Sequence, residues 1–422
     1  MEKSKIKFYN LDVYTETLDN GLNVVVIPYK NVNDAFVTLT TRYGGANYEF
    51  SVDGKEYKVP NGIAHFLEHK MFEQESGEDP FTFFNKSGTY SNAFTNYYNT
   101  SYLFAGSKNF KDNLNYLLDF VANPYFTDKN VEKEKGIIAE ELKMYDDMPD
   151  NTIFERTIYN LFNANPVKYP VGGYVSDVKK ITKEDLYNCY NAFYNPKNMF
   201  LIITGNVDYK EAFEIVRLNQ STKKTTSHDV CIKNVDENNK VYKKKEIVRG
   251  NVSMPYIAHA YKIPLKKFKD IDRKKLNLYL SLIFNILFDE TSLFYEYTTE
   301  NKLLETKIDI DTLDTDNHKA FILSFKSNNY NKIIKEIDNH LININISESD
   351  LSRKIKSNIS SLLYIFDDIS NTNKLMLNNL VLYNNLYTDV YDLLKSMNIK
   401  ELNYIIKNLD FSNKSTLIIK AE

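Results

Sequence analysis

The chain has no tryptophan, only two cysteines and only six histidines in 422 residues. Cys189 and Cys231 form no metal-binding or redox spacing, so both read as free thiols of a reducing compartment, with the cytoplasm as the expected location. No apolar run approaches the ~18 residues that a membrane span needs. The start, Met1 to Ile6, lacks the apolar segment of a secretory signal. An excess of one charge is missing too: 53 Lys and Arg against 56 Asp and Glu leave a net −3, with the signs interspersed. No nucleic-acid-binding stripe is expected from that pattern. The lysine clusters Lys243-Lys244-Lys245 and Lys266-Lys267-Phe268-Lys269 read as solvated loop charges.

What remains is the composition of a soluble globular protein, too long for one ordinary core. Val13 to Thr17, an Asn20-Gly21 turn and Leu22 to Pro28 spell a β-hairpin. Further strands are expected at Ala35–Tyr43, Tyr90–Phe94, Ser101–Ala105 and Met199–Thr204, with helices near Lys111–Val121 and Lys183–Tyr194. Residues 219–245 are polar and free of glycine, and read as an exposed linker. The expected layout is a first domain at 1–218, this linker, and a second domain at 246–422.

Two of the six histidines stand four residues apart in Ala64-His65-Phe66-Leu67-Glu68-His69-Lys70. On a helix, His65, Glu68 and His69 share one face. Two imidazoles at that spacing can chelate one zinc ion, and the carboxylate between them can hold and deprotonate a water. This is the inverted H-x-x-E-H motif of zinc hydrolases. The neighbours Ile63, Ala64, Phe66, Leu67, Met71 and Phe72 mark a buried helix rather than a solvated one. A buried His-Glu-His face requires partners or a metal.

A catalytic zinc site usually has three protein ligands. The best source of the third is the helical run Val131 to Tyr145, which Asp128 or Asn130 can cap and which Pro149 follows. Its apolar face is expected at Ile137, Ile138, Met144 and Tyr145. Glu134 and Glu141, at i and i+7, fall on that same side. Carboxylates on a core-facing stripe need partners. Zinc at Glu141 and a ligand histidine at Glu134 would supply them. Glu140 is the competing ligand, though the periodicity turns it outward. Ordinary ion pairs with lysines are the alternative for both glutamates.

At this point the chain resembles the pitrilysin, insulinase and mitochondrial-processing-peptidase group. The likeness extends through Asn61-Gly62, Ser91-Asn92-Ala93-Phe94-Thr95, Thr100-Ser101-Tyr102 and Lys143-Met144-Tyr145-Asp146-Asp147, and its specific motifs span residues 20 to 205. The resemblance implies one zinc ion per chain held by His65, His69 and Glu141. It also implies Glu68 as general base, Glu134 as support for a ligand histidine, and Asn92 and Ala93 on an edge strand as contacts to the substrate backbone.

The second half echoes the first. Ile286-Leu287-Phe288-Asp289-Glu290-Thr291-Ser292 repeats the pattern of Lys70 to Ser76, and Tyr364-Ile365-Phe366-Asp367-Asp368 that of Lys143 to Asp147. In that register His65, Glu68, His69 and Glu141 fall on Ser281, Phe284, Asn285 and Leu362, so the repeat keeps the fold and lacks the ligands. The expected fold class is α+β: two homologous domains, each a mixed, mostly antiparallel sheet with helices packed on one face. Active members of the resembled group carry an Arg and a Tyr after the second-domain counterpart of the zinc helix. Here no arginine occurs between Arg273 and Arg353, and Leu293 to Leu304 lacks the pattern. The resemblance therefore implies the zinc-bearing half of a pair. A homologous subunit, or a second copy, would supply those contacts to a peptide substrate. The expected activity is zinc-dependent endoproteolysis of small peptides or unfolded segments, including precursors of modified peptides. The alternatives are a non-catalytic assembly subunit and a peptide-capturing protein of the same fold.

Overall fold

A computed structural model of the protein describes all residues except Lys224, Thr226, Ser227, Glu305 and Glu422. Three positions of the expected linker thus lie outside the described residues. The chain forms two units, each discontinuous in sequence. The first comprises Met1–Leu142, Tyr169–Asn234 and Leu363–Asp389; the second comprises Lys143–Lys168, Val235–Leu362 and Val390–Glu422. No described helix is long and apolar enough to cross a membrane.

The first unit is built on strands β1 (Glu2–Ile6), β2 (Leu11–Thr17), β3 (Asn23–Pro28) and β4 (Ala35–Thr41), the small hairpin β5 (Glu49–Val52) and β6 (Lys55–Lys58), then β7 (Tyr90–Thr95), β8 (Thr100–Gly106), β9 (Met199–Gly205) and β10 (Val230–Ile232). Its main sheet has the order β1-β2-β3-β9-β4-β8-β7. Only β3 and β9 run parallel, so the sheet is mixed and mostly antiparallel. Helices Ile63–Met71, Phe110–Ala122, Lys183–Phe193 and Tyr209–Gln220 pack with the sheet around one core, to which Val37 and Leu39 of β4 contribute. Side chains alternate along a strand, so Thr38 points to the opposite face. There Asn373 of helix Ile369–Tyr383 accepts from Thr38 Oγ1 at 2.7 Å and donates to the carbonyls of Phe36 and Ile202 at 3.2 and 3.1 Å. Asn373 is fully buried. Three good hydrogen bonds allow a polar side chain at that depth and fix the helix on the sheet.

The second unit has strands β11 (Lys245–Gly250), β12 (Tyr256–Pro264), β13 (Asp309–Asp314), β14 (His318–Lys326) and β15 (Lys414–Ala421) in the order β11-β15-β12-β14-β13. Only β11 and β15 are parallel. Helix Pro149–Leu161 packs on β15 and β12. Asn160 and Arg156 of that helix donate to Glu246 of β11 at 2.9 and 3.2 Å. Each sheet is therefore completed by a helix from the other half of the sequence. Two of the five changeovers fall inside long helices, Asp128–Asp146 and Glu348–Asp367, at Leu142/Lys143 and Leu362/Leu363. Contiguous domain boundaries do not capture this exchange, because an amphipathic helix does not announce which sheet it will cover.

The stretch expected to be a bare linker carries structure. β10 pairs antiparallel with β5. Glu237 is buried, bonds Lys262 Nζ at 2.7 Å and accepts from the backbone N–H groups of Asn163, Ala164 and Asn165. Burial alone would raise its pKa; Lys262 and the three N–H groups instead bring it down to about 2.

Candidate metal centre

Helix Ile63–Met71 sinks into the core because Phe66, Leu67 and Met71 are fully buried. Each such side chain contributes about 1.5–3 kcal/mol by leaving water. The helix begins at Gly62, whose φ of +86° suits glycine, and a Cβ there would stand 2.2 Å from the Gly172 carbonyl oxygen. The backbone of Gly172-Gly173 thus fixes the helix start and leaves His65 and His69 half-buried on one side, with Glu68 buried beside them.

Helix Asp128–Asp146 supplies the glutamates. Its start is capped by Thr127 rather than by Asp128 or Asn130. Thr127 Oγ1 accepts from the Asn130 N–H at 3.1 Å, and Asn130 Oδ1 accepts from the Thr127 N–H at 2.8 Å. This is the reciprocal bonding of a capping box. The buried stripe is Val131, Ile138, Ala139 and Leu142. Ile137, Met144 and Tyr145, expected on the inner face, are exposed. Glu134 and Glu141 lie half-buried at the margin of the stripe, and Glu140 is exposed, as the periodicity implied.

The two helices bring three donors together. His65 Nε2 is 3.9 Å and His69 Nε2 3.4 Å from Glu141 Oε2. One ligand atom from each of His65, His69 and Glu141 lies within 4.8 Å of the other two, close enough to hold a metal ion. Two imidazoles and a carboxylate are a donor set that suits zinc. On the far side of its ring, His69 Nδ1 is 3.1 Å from Glu134 Oε1. That contact places the proton on Nδ1 and leaves the Nε2 lone pair for a metal. Lys70, the next residue, is fully buried; it pairs with Glu73 and lies 3.7 Å from Glu134 Oε2. His65 Nδ1 is buried without a hydrogen-bond partner among the described residues.

Electrostatics separate the groups. Burial, reinforced by neighbouring His69, brings His65 down to about 4, so its imidazole stays neutral and able to coordinate. Burial would lower His69 as well, but the Glu134 hydrogen bond and the charges of Glu141, Glu134 and Glu68 together outweigh it and the pKa rises. Burial raises Glu68. It would raise Glu134 too, yet His69 and Lys70 hold Glu134 below the usual carboxylate range.

Asn92 and Ala93 sit on β7, an edge strand of the main sheet. Their side-chain hydrogen bonds stay within the strand: Asn92 Oδ1 accepts from the Ala93 N–H at 2.9 Å, and Asn92 Nδ2 donates to Tyr90 OH at 2.8 Å. Sequence reasoning gave no role to Thr95, Lys70 or the Gly172-Gly173 turn. Thr95 Oγ1 donates to Glu68 Oε2 at 2.5 Å. A lysine directly before the apolar Met71-Phe72, at the end of a helix rich in large apolar residues, is the available signal for Lys70.

Residues 54–173 match the family described as Insulinase (Peptidase family M16), and residues 180–358 match the one described as Peptidase M16 inactive domain. The chain belongs to the insulinase family of peptidases. A Bacillus subtilis protein described as the uncharacterized zinc protease YmfH is 40% identical over 304 residues, 71% of this chain and 70% of that one. A zinc protease of Rickettsia felis is 30% identical over 46% of each chain, so that alignment spans about half of the relative. In structure, an M16-like peptidase from Alicyclobacillus acidocaldarius overlays with a TM-score of 0.91 and 26% identity, covering 98% of this chain and 99% of the other. Pitrilysin shares the fold, with a TM-score of 0.77 and 14% identity; 99% of this chain covers 46% of pitrilysin. Residues matching the inactive-domain description include Ser281, Phe284 and Asn285; that match begins at residue 180, inside the first unit, so the two matched segments and the two units do not coincide.

Proposed function

We propose that this chain is a zinc-dependent endopeptidase for small peptides or unfolded segments and the catalytic member of a two-subunit peptidase. The reading is carried by the convergence of His65, His69 and Glu141 with Glu68 beside them. His65 and His69 would hold one zinc ion through Nε2 and Glu141 through Oε2, with Glu134 fixing the His69 ring. Zinc, when bound, supplies Lewis acidity toward the scissile carbonyl and the attacking water. Glu68 takes the proton of that water and returns it to the leaving amine. The edge strand β7 offers backbone pairing to an extended chain, which selects for unfolded segments more than for particular side chains. Pairing at Ala93 requires Asn92 Oδ1 to release the N–H it covers. Both cysteines are free, in keeping with a reducing, cytoplasmic setting.

Two arginines flank the segment where the second unit would be expected to offer a substrate contact, and both are engaged elsewhere. Arg273 binds the carbonyls of Thr315 and Asp316, and Arg353 bonds Thr291 and pairs with Asp350. A homologous subunit bringing an Arg and a Tyr would complete the site, and precursors of modified peptides are the candidate substrates. Purified protein should contain one zinc per chain. Glu68→Gln should keep the metal and lose peptidase activity by orders of magnitude, because a carboxamide cannot take the proton. Unchanged turnover in that variant defeats the general-base assignment. Adding a homologous subunit should raise activity ~10²- to 10³-fold; full activity of the isolated chain without stimulation defeats the pairing.

A further inference from the structure

A buried carboxylate that receives and gives back a proton must be held in one orientation, and Glu68 has a fixed neighbour for that task. Its Oε2 accepts the 2.5 Å hydrogen bond from Thr95 Oγ1. A carboxylate of this kind only accepts, so the single hydroxyl proton of Thr95 is committed to it. The threonine is itself well located. It is the last residue of β7 and pairs in register with Thr100, the first residue of β8. The two hydroxyl oxygens are 3.2 Å apart, and Thr100 Oγ1 donates to the Tyr43 carbonyl at 2.9 Å. Thr100 is fully buried. Both hydroxyl protons are thus spoken for, and Thr95 is fixed by its place in the β7–β8 ladder beside the buried Thr100, not by a mobile side chain.

We propose that Thr95 is the positioning residue for Glu68: it holds Oε2 and leaves Oε1 for the attacking water. This rests on the peptidase reading given above. It also links the base to the substrate edge. Ala93 and Thr95 are two residues apart on one strand and so project to the same face. A peptide that pairs with β7 engages the strand that orients the base. If the hydroxyl only satisfied a strand end, its loss would cost stability and leave the chemical step alone.

The variants Thr95→Val, Thr95→Ser and Glu68→Gln separate these cases. High-resolution crystal structures provide the readout that does not depend on turnover. In Thr95→Val the Glu68 carboxylate should leave its wild-type position or occupy several, and Thr95→Ser should restore it. With a fluorogenic peptide, Thr95→Val should keep its zinc and its KM while kcat falls roughly 10- to 100-fold, the usual scale for an outer partner of a metal site; Thr95→Ser should recover most of the loss. A Thr95→Val structure with the carboxylate unmoved overturns the proposal. So does a Thr95→Val enzyme with wild-type kcat and only a lower melting temperature. Full activity of Glu68→Gln is a different failure: it removes the peptidase mechanism itself, whereas an inert Glu68→Gln beside a fully active Thr95→Val removes only the positioning role.

Discussion

Replacing Glu134 by glutamine tests how much of the metal affinity resides outside the three donors. Glu134 Oε1 is 3.1 Å from His69 Nδ1, and its side chain is only 12% exposed. The glutamine carbonyl can still accept the Nδ1 proton, so the ring keeps its tautomer and its Nε2 lone pair. What disappears is the negative charge. A hydrogen bond to a charged group contributes about 1.5–3 kcal/mol and a neutral one about 0.5–1.5. The difference of about 1–1.5 kcal/mol corresponds to roughly tenfold in Kd. Glu134→Ala removes the acceptor altogether and should approach the ~100-fold end of the range seen for such partners. Zinc titration of the metal-free protein against a chromophoric chelator measures both variants. The melting temperature of the metal-free form is followed in parallel, because Lys70 is fully buried and loses one of its two carboxylate neighbours. An unchanged zinc Kd in both variants would refute the reasoning. Complete loss of metal in Glu134→Gln would refute it in the other direction, since that result belongs to a direct ligand.

Glu141→Ala should strip the metal while Glu140→Ala retains it, measured as zinc per chain after desalting; the reverse pattern overturns the choice between the adjacent glutamates. Glu237→Gln leaves Lys262 buried without its counter-charge, so urea unfolding should show a loss of about 3–5 kcal/mol, and a loss below about 1 kcal/mol would place the pair among inconsequential surface bridges. Glu237 also sets an acid limit. Its folded pKa of about 2 lies below the unfolded value of about 4.3. The stability it contributes is therefore complete above the unfolded value and is lost as pH falls toward 2. Acid unfolding of Glu237→Gln should lack that component.

The candidate metal centre, as a grouping of His65, His69 and Glu141, is legible in the sequence because helix geometry turns spacing into proximity. His65, Glu68 and His69 at i, i+3 and i+4 need no long-range information, nor do Glu134 and Glu141 at i and i+7. The apolar face of the glutamate helix is not legible in the same way: periodicity ranks Ile137 and Ile138 alike, and only the position of the surrounding core buries Ile138 and exposes Ile137. A polar, glycine-free stretch such as 219–245 looks solvated throughout, yet Glu237 within it is buried. That burial depends on Lys262 and on the backbone at Asn163–Asn165, all remote in sequence. Thr95 stands inside a motif that the sequence already singles out, but a threonine at a strand end looks the same whether its hydroxyl meets water or a buried carboxylate. The mixed, mostly antiparallel sheets follow from the strand pattern and the resemblance together. The exchanged helices do not, because each is amphipathic in its own right.

That exchange bears on how the protein is made. During synthesis, the strands of the first sheet are complete once β9 has emerged, but the helix bearing Asn373 comes more than a hundred and fifty residues later. At roughly 5–20 residues per second the ribosome leaves one face of that sheet uncovered for on the order of ten seconds. Helix Pro149–Leu161 meanwhile waits, with its apolar side bare, for β12 and β15 to appear. Neither half can mature without the other, so the emergence of β15, not the passing of a linker, marks the earliest moment at which both sheets can be complete. A fragment ending near residue 245 should accordingly be degraded rapidly by dilute protease, and should become resistant when the remaining chain is supplied in trans.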